Sequence, residues 1–173
     1  MSQTKRAEEH RGAALSSAAA SRAPWCWLAL PALVWGMTGW FSWRPFDLAQ
    51  GRPFRASSSD ASHPITGTVR MMSPGRQLVS TADEASPWLE IDLGSVRQLG
   101  SVEVRNRSDC CGERAVPLAI ESRGSESEPW TLAARRDRPF LAWMAELPDR
   151  PARYVRVRAL RKTSLQLEGI SIR

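Results

Sequence analysis

One ten-residue segment, RNRSDCCGER, holds the side chains of this sequence that are best suited to chemistry. Arg107 and Arg114 each carry a rigid fork of N–H donors that stays charged, and Asp109 lies two residues after Arg107, where it can hold that fork. Between the arginines stand the adjacent cysteines Cys110 and Cys111. Bonded to each other, they would close an eight-membered ring with an apolar surface; the alternatives are free thiols or bonds to other chains. An apolar ring flanked by fixed arginines is a binding surface.

The same residues also have a plain structural interpretation. An isolated pair such as Arg107 and Asp109 usually does no more than fix a loop. We favour binding because this pair occurs in one short segment with two cysteines and a second arginine.

Catalytic chemistry finds little support elsewhere in the chain. The two histidines, His10 and His63, do not lie near a plausible nucleophile in the sequence, and we assign them no role. The sequence shows no cluster of metal-ligating residues, no glycine-rich phosphate loop and no carboxylate pair with an evident acid–base partner. We therefore expect a protein that is not an enzyme.

Short runs with a period of two residues dominate the chain from about Pro64 onward. Clusters of Gly, Pro, Asp or Ser bound them, and none continues at helical spacing. The stretch YVRVR is typical, since Val155 and Val157 are expected to point inward and Arg156 and Arg158 to point to water. The runs cover residues 88–93, 99–104, 117–122, 130–134, 140–147, 154–160 and 165–172. Seven or so such strands indicate an all-β protein built as an antiparallel β-sandwich.

The strand-like runs also carry tryptophans and a cluster of basic residues. Trp88, Trp130 and Trp143 fall within or beside the runs, so we expect them to fill the core or cover a sheet rather than to serve as ligand-binding platforms. The basic cluster is either a patch for acidic glycans or phospholipid headgroups, or a solvated strand face. It comprises Arg150, Arg153, Arg156, Arg158, Arg161 and Lys162.

The N-terminal part of the chain has a different composition. The residues from Pro24 to Trp43 carry no charged side chain and are rich in tryptophan, which favours lipid headgroups near the ends of a span. At about 1.5 Å per residue they would reach about 30 Å, the thickness of a bilayer's hydrocarbon core. We therefore expect one transmembrane helix at residues 23–43. A cleaved signal peptide is the alternative, but the segment is longer than a signal core and no small-x-small cleavage site follows it.

The flanking segments and the cysteines suggest an arrangement around this anchor. Residues 1–22 are expected to be a disordered tail, and residues 44–62 a linker to a sandwich at residues 63–173. Basic residues lie on both sides of the anchor, so the positive-inside bias is small. A disulfide between Cys110 and Cys111 needs an oxidising compartment, which favours a single-pass protein whose C-terminal domain is periplasmic or extracellular. This placement makes a nucleic-acid partner remote, despite a net charge of +6.

The order of these motifs resembles a known domain. The segments PWLEIDLG, LGSVEVRNRSDCCGERAVPLAIES, ARYVRVRAL and LQLEGISI follow one another as in the discoidin domain, also called the coagulation factor V/VIII type C domain. Within it, Arg107, Asp109 and Arg114 match the motif of the F-type lectins, or fucolectins: arginine, any residue, aspartate, four residues, then arginine or lysine. The resemblance covers roughly residues 50–173 and implies a galactose-binding-like jelly-roll β-sandwich.

The resemblance also implies a shallow sugar site at one end of the sandwich. In such lectins the two arginines, here Arg107 and Arg114, donate hydrogen bonds to the ring oxygen and hydroxyls of a fucose-like sugar. The aspartate, here Asp109, holds an arginine in place. A disulfide, here between Cys110 and Cys111, packs against an apolar face of the sugar.

Two positions depart from the lectin pattern. The motif's histidine, with 26 residues between it and the first arginine, falls on Ser80. The shorter serine leaves three options, which are contact through water, a different hydroxyl pattern or a decayed site. These lectins also hold a structural calcium, and their late acidic position falls on Gly169, with Glu168 one place early and so on the other face of a strand. Asp60 remains a candidate oxygen ligand, so calcium stays open.

These observations lead to a hypothesis of a membrane-anchored, non-catalytic protein that binds a glycan, fucose-like or another sugar, through a discoidin-like domain. No cofactor is expected apart from the calcium left open above. The alternative is an accessory module of the cell envelope that docks on a protein partner or an anionic lipid surface and keeps a degenerate sugar site.

Overall fold

The computed structural model of this chain describes residues 46–70 and 75–173. The predicted tail at 1–22 and the predicted anchor at 23–43 lie outside the described residues. Within the described part of the chain, no helix is long and apolar enough to cross a membrane.

Ten β-strands and one 3₁₀ turn, at Gly112–Ala115, make up the regular structure of the described residues. The strands are β1 (Pro53–Ala56), β2 (Thr66–Thr68), β3 (Val79–Ser80), β4 (Glu84–Ala85), β5 (Trp88–Asn106), β6 (Leu118–Arg123), β7 (Thr131–Arg136), β8 (Ala142–Ala159), β9 (Lys162–Thr163) and β10 (Gln166–Ile172).

Two of these strands are much longer than the sequence pattern predicts. The runs at 88–93 and 99–104 are both parts of β5, and the runs at 140–147 and 154–160 both fall largely within β8. The turn-forming residues between the paired runs interrupt the alternation of side chains but do not end the strand. The sequence therefore predicts the right residues as strand but divides each long strand in two.

The ladder between β5 and β8 runs through most of the sandwich. It extends from the pair Trp88 and Arg158 to the pair Arg105 and Ala142, and register shifts interrupt it near its middle. Gly94 lies in this interruption with φ of 81°, in the left-handed region that glycine adopts most readily. Such irregularities bend a strand, so the two halves of β5 and β8 can belong to different layers.

The other strands pair with one half or the other of this ladder. One layer has the order β2-β1-β5-β8-β6-β7, and β1 pairs with the first half of β5. The second half of β5 pairs with β10, which pairs in turn with β3. Strands β4 and β9 form a separate two-stranded ribbon. The pairs are antiparallel, as the sequence predicts.

The inward-facing side chains of both layers meet in one hydrophobic core. Along the first half of β5, Leu89, Ile91 and Leu93 are at most 1% exposed, while the residues between them are only partly buried. Ile170 and Ile172 on β10 are buried to the same degree. Removing one such side chain from water stabilises a fold by about 1.5–3 kcal/mol. The alternating pattern in the sequence therefore marks the core correctly.

The predicted linker at 44–62 is part of the sandwich over much of its described length. Phe54 and Ala56 on β1 are buried, and β1 pairs with β5. Ahead of β1, Ala49 is fully buried and the Leu48 N–H donates to the carbonyl oxygen of Ile172 at 2.7 Å. This corrects the predicted boundary, because the sandwich begins before residue 63. A four-residue strand that begins with proline and is flanked by turn-forming residues has the composition of a linker.

The β8 arginines lie over the sheet instead of pointing to water. Arg156 and Arg158 both donate to the carboxylate of Glu121 on β6, and the Arg156 Nε bond measures 2.8 Å. Glu121 itself is only 5% exposed. Arg153 makes two bonds to the carboxylate of Asp92, at 2.8 and 2.9 Å. Part of the basic cluster is thus neutralised within the fold and is neither a solvated face nor a free cationic patch.

Trp130 stacks between two arginines on this outer face. Its ring centre lies 4.3 Å from the guanidinium carbon of Arg123 and 4.2 Å from that of Arg156. The Arg123 guanidinium also lies 5.0 Å from the ring centre of Tyr154. Trp143, by contrast, packs against the core. These positions agree with the expectation that the tryptophans of the strands cover a sheet or fill the core.

Replacing Glu121 by Gln should destabilise the fold by about 2 kcal/mol at pH 7, because two partly buried arginines lose their carboxylate. Burial alone would raise the pKa of Glu121, but hydrogen bonds from Arg158 and Arg156 outweigh it and lower that pKa below the usual value. The resulting stability is present at neutral pH and is lost as the pH falls through the lowered pKa. Urea denaturation should therefore show a difference between wild type and variant that shrinks in acid.

Asp137→Asn is the matched control for this measurement. Asp137 pairs with Arg135 at the surface, where the two side chains are 59% and 52% exposed. Such a pair contributes no more than about 1 kcal/mol. If Glu121→Gln were as stable as Asp137→Asn, the cluster around Glu121 would not stabilise the sheet.

Candidate functional site

The segment RNRSDCCGER leaves the end of β5 and enters the connection to β6. Its anchor is Asn106, the last residue of β5, which is 2% exposed. The Asn106 side-chain amide donates to the carbonyl oxygens of Gly112, at 2.8 Å, and Phe140, at 3.2 Å. Its side-chain oxygen accepts from the Arg107 N–H at 2.9 Å. One buried amide thus holds both ends of the loop and ties it to the segment that leads into β8.

Arg107 is held on two sides. Its Nε and Nη2 donate to the two carboxylate oxygens of Asp109, at 2.7 and 2.6 Å, as the two-residue spacing predicts. Its Nη1 donates to the side-chain oxygen of Gln166 on β10. The hydrogen bond to Asp109 raises the pKa of Arg107, and the same bond holds the pKa of Asp109 well below its usual range. The guanidinium is therefore fixed in position and stays charged, and three of its five N–H donors are engaged.

Cys110 and Cys111 are joined in a disulfide. Cys110 is exposed and Cys111 partly buried, so the ring reaches the surface. The Cys110 N–H donates to Asp109 Oδ1 at 2.9 Å, which links the ring to the carboxylate that holds Arg107. Hydrogen bonds thus connect the disulfide loop, Asp109 and Arg107, and the side chain of Arg107 is 13% exposed.

Arg114 lies in the 3₁₀ turn that follows the disulfide. Its backbone N–H donates to the carbonyl oxygen of Cys111 at 3.0 Å, and its side chain is exposed. Among residues 46–70 and 75–173, no acceptor takes a hydrogen bond from its guanidinium. All of its donors are therefore available to a ligand, in contrast to those of Arg107.

Ser80, which aligns with the histidine of the lectin motif, lies in the interior and not at the surface of the site. It is fully buried, so it cannot contact a ligand at the surface. Its hydroxyl donates to Asp60 Oδ2 at 2.6 Å and accepts from Gln166 Nε2 at 3.2 Å. Because Gln166 also binds Arg107, a continuous chain of side-chain hydrogen bonds runs from Arg107 through Gln166 and Ser80 to Asp60. Ser80 supports the arginine from behind.

Gln166 is the residue that the sequence analysis missed. It lies opposite Ser80 in the pairing of β10 with β3, and it bridges Ser80 and Arg107. Its polar side chain at the start of an apolar strand was the only local signal. That signal identifies no partner, because the partners lie 59 and 86 residues away.

Asp60, Ser62 and His63 form a compact group that superficially resembles a hydrolase triad. Asp60 Oδ1 accepts from the Ser62 backbone N–H and hydroxyl, at 2.8 and 2.7 Å. The His63 Nδ1 atom lies 3.1 Å from the Ser62 hydroxyl and 3.2 Å from Asp60 Oδ1. A triad needs the serine and the aspartate on opposite ring nitrogens, whereas here both meet Nδ1. Hydrogen bonds, with Ser80 the strongest donor, hold the pKa of Asp60 well below its usual range.

Glu168 binds Ser108 in the loop beside Arg107. Its Oε1 accepts from the Ser108 N–H at 2.9 Å and from the Ser108 hydroxyl at 2.5 Å. The ladder between β10 and β5 shifts register between Leu167 and Gly169, which makes Glu168 the extra residue of a bulge. Asp60, the candidate oxygen ligand of calcium, and Glu168 are thus both bound to serines. The described residues contain no group of three or more His, Cys, Asp and Glu side chains that could hold a metal ion.

The arrangement is suited to hold a ligand that presents oxygen acceptors beside an apolar face. Two guanidinium groups offer N–H donors, and charge-assisted bonds to oxygen acceptors are the stronger kind. The exposed disulfide offers an apolar surface beside them. Arg107 is held rigidly, which lowers the entropic cost of ordering it on binding.

Comparisons with known proteins agree with this fold. Residues 70–157 match the family model described as NedA-like, galactose-binding domain. A fucolectin from Anguilla anguilla is 38% identical over 66 residues, and Fucolectin-4 from Anguilla japonica is 38% identical over the same length. The matched segment is 38% of this chain and covers 42% and 36% of the two relatives, so it spans less than half of their length.

Solved structures give the same result for the fold. A Streptococcus pneumoniae fucose binding module, SpX-3, superposes with a TM-score of 0.63 at 18% identity, over 75% of this chain and 98% of that one. The lectin domain of Lectinolysin, solved with Lewis B antigen, superposes with a TM-score of 0.61 at 19% identity, over 75% of this chain and 97% of that one. The predicted all-β, galactose-binding-like sandwich is confirmed.

Replacing Asn106 by Ala should destabilise the fold by about 2 kcal/mol, because the carbonyl oxygens of Gly112 and Phe140 lose their donor. The backbone amides of the loop should also exchange hydrogen faster than in the wild type, since the clamp on both ends of the loop is gone. Gln98→Ala, at an exposed position of the same strand, should change stability by less than about 0.5 kcal/mol. Equal stability and equal exchange in the two variants would mean that Asn106 does not hold the loop.

Proposed function

This chain belongs to the family of NedA-like, galactose-binding domains, and we propose that it is a membrane-anchored, non-catalytic carbohydrate-binding protein. The ligand is a glycan that ends in a fucose-like sugar or in another sugar with a similar array of hydroxyls. Arg107 and Arg114 donate hydrogen bonds to the sugar, Asp109 orients Arg107, and the disulfide of Cys110 and Cys111 packs against an apolar face of the ring.

The observation that carries this proposal is the fixed position of Arg107 beside the exposed disulfide. Asp109 and Gln166 hold three of its N–H donors, and a sugar would accept hydrogen bonds from the remaining two. Sugars present hydroxyls along their edges and an apolar patch of C–H groups on a face. Fixed donors next to an apolar plate match both features.

The names of the relatives favour a sugar of this class. The curated relatives are fucolectins, and two of the superposed structures are fucose binding modules. In this chain Ser80 stands where the lectin motif has its histidine, and Ser80 is buried behind Gln166. We therefore propose that the two arginines and the disulfide make the direct contacts, with a hydroxyl preference that differs from that of a histidine-containing site.

Several observations support binding without catalysis in a membrane-anchored protein. The Asp60, Ser62 and His63 group lacks the connectivity of a triad, because both oxygens meet the same ring nitrogen. The charge-free segment at 23–43 is long enough to span a bilayer, and an exposed disulfide is stable only outside the reducing cytosol. A single shallow site binds weakly, so we propose that clustering in the membrane or a multivalent glycan supplies useful avidity.

The alternative of an accessory module on an anionic lipid surface was suggested by the basic cluster of β8. Three of its arginines, Arg153, Arg156 and Arg158, are bound to Asp92 and Glu121 and do not form a free cationic patch. We therefore favour the glycan.

Arg107→Gln should weaken binding to the preferred glycan by more than about tenfold, because the site loses charged donors that Gln cannot replace. A glycan array screened with the full chain in detergent, followed by calorimetric titration of the best ligand, measures this loss. Arg97→Gln is the matched control, since Arg97 is an exposed arginine on β5 in the interrupted middle of the strand, away from Asn106. Wild-type protein that is folded and disulfide-bonded but binds no glycan would refute the proposed function.

Gln166→Ala should weaken glycan binding several-fold, less than Arg107→Gln, because Arg107 keeps Asp109 but loses the acceptor for Nη1. Gln166→Glu should recover much of the affinity, because its carboxylate still accepts from Arg107. Gln98→Ala at the surface is the control. Titration of each variant with the same glycan measures the effect; wild-type affinity in Gln166→Ala would mean that Asp109 alone holds the arginine.

A further inference from the structure

A second concave site lies beside the arginine loop. It is a cavity of about 520 Å³, within the size range of small-ligand pockets. The hairpin of β1 and β2 forms one wall, with Phe54 and Thr68, and the segment that leads into β3 forms another, with Gln77 and Leu78. Glu168 on β10 also lines the cavity.

Among the described residues, the charged side chains that line this cavity are more positive than negative. Arg70 and Arg76 line it, against the single carboxylate of Glu168. That carboxylate accepts two hydrogen bonds from Ser108, so it is partly satisfied within the fold. Paired arginine forks bind sulfate and carboxylate groups with good geometry. The cavity therefore favours an anionic group.

The two cavity arginines differ from those of β8. Arg70 and Arg76 are exposed, and no residue in 46–70 or 75–173 accepts a hydrogen bond from either guanidinium. Arg156 and Arg158, by contrast, share the buried carboxylate of Glu121. Within the described residues, the charge of Arg156 and Arg158 is thus neutralised by Glu121, whereas that of Arg70 and Arg76 at the cavity is not.

The cavity adjoins the arginine loop through two separate contacts. Glu168 lines the cavity and binds Ser108, the residue next to Arg107. His63 lines it and contacts Asp60, from which the hydrogen bonds through Ser80 lead back to the same arginine. The cavity and the loop that carries Arg107 thus share Glu168, which lines the one and binds the other.

We propose that this cavity is a second subsite, which takes a sulfate or carboxylate group on the sugar next to the one held by Arg107. The ligand class of the protein is then an acidic glycan. Arg70 and Arg76 bind the anionic group, His63 lies beside it, and Phe54 and Leu78 form the apolar part of the wall. This inference rests on the proposed function, because it extends the same site.

The test compares matched glycans on the full chain. Neutral oligosaccharides that end in fucose or galactose are paired with the same oligosaccharides carrying one sulfate, and with versions carrying one sialic acid. Wild type should bind one of the acidic series roughly tenfold more tightly than the neutral series, the effect of about one charge-assisted hydrogen bond. The advantage should shrink as salt rises from about 0.05 to 0.5 M, because ions screen exposed charges. The sulfated and sialylated arms show which anion is preferred.

The double variant Arg70→Gln/Arg76→Gln should bind the neutral and acidic members of a pair with the same Kd. Arg97→Gln, which removes an exposed charge that does not line the cavity, should keep the difference. Equal affinity for neutral and acidic glycans in the wild type, or a difference that survives the double variant, would overturn the second subsite while leaving the proposed function intact. Binding to no glycan of either kind would overturn both.

Discussion

The paired strands β5 and β8 are the constraint on which the rest of the structure depends. Their ladder runs through both halves of the sandwich, and β1, β6 and β10 each take their register from one of the two strands. Because side chains alternate with a period of two, this register decides which residues enter the core and which face outward. It also decides what meets at the end of β5. Asn106 stands there, with β10 on one side and the segment leading into β8 on the other.

The polar groups near that end satisfy one another, and this gives the loop its shape. A buried amide or hydroxyl without a partner costs about 1–3 kcal/mol. An arrangement in which Asn106, Ser80 and Gln166 each have hydrogen-bond partners is therefore strongly favoured over one that leaves them unpaired. Arg107 stands at one end of this chain of hydrogen bonds, and it is the member that we propose contacts a ligand. A rigid donor at the surface is thus a consequence of buried polar groups that must be paired. The same requirement neutralises Glu121 between two arginines on the opposite face of the layer.

Much of the fold and the nearest contacts of the site could be predicted from the sequence. Alternation identified the strands and their inward faces, and the spacing of Arg107, Asp109 and the cysteines predicted contacts that are present. Composition is a poor guide to position at three places in this chain. The short strand β1 has the composition of a linker, β5 and β8 carry turn-forming residues in their middle, and Ser80 is polar but fully buried.

The sequence by itself determined the local chemistry of this protein: a bidentate pair two residues apart, a disulfide of adjacent cysteines and a hydrophobic face on alternate residues. These features depend on bond geometry over a few residues, which the order of amino acids specifies directly. Only the tertiary structure decided that Gln166 holds Arg107, that Ser80 lies behind it and that Glu168 binds Ser108. Those contacts join residues 59 to 86 positions apart. A one-residue bulge in β10 is enough to change them, because a shift of one position turns a side chain to the opposite face of a strand.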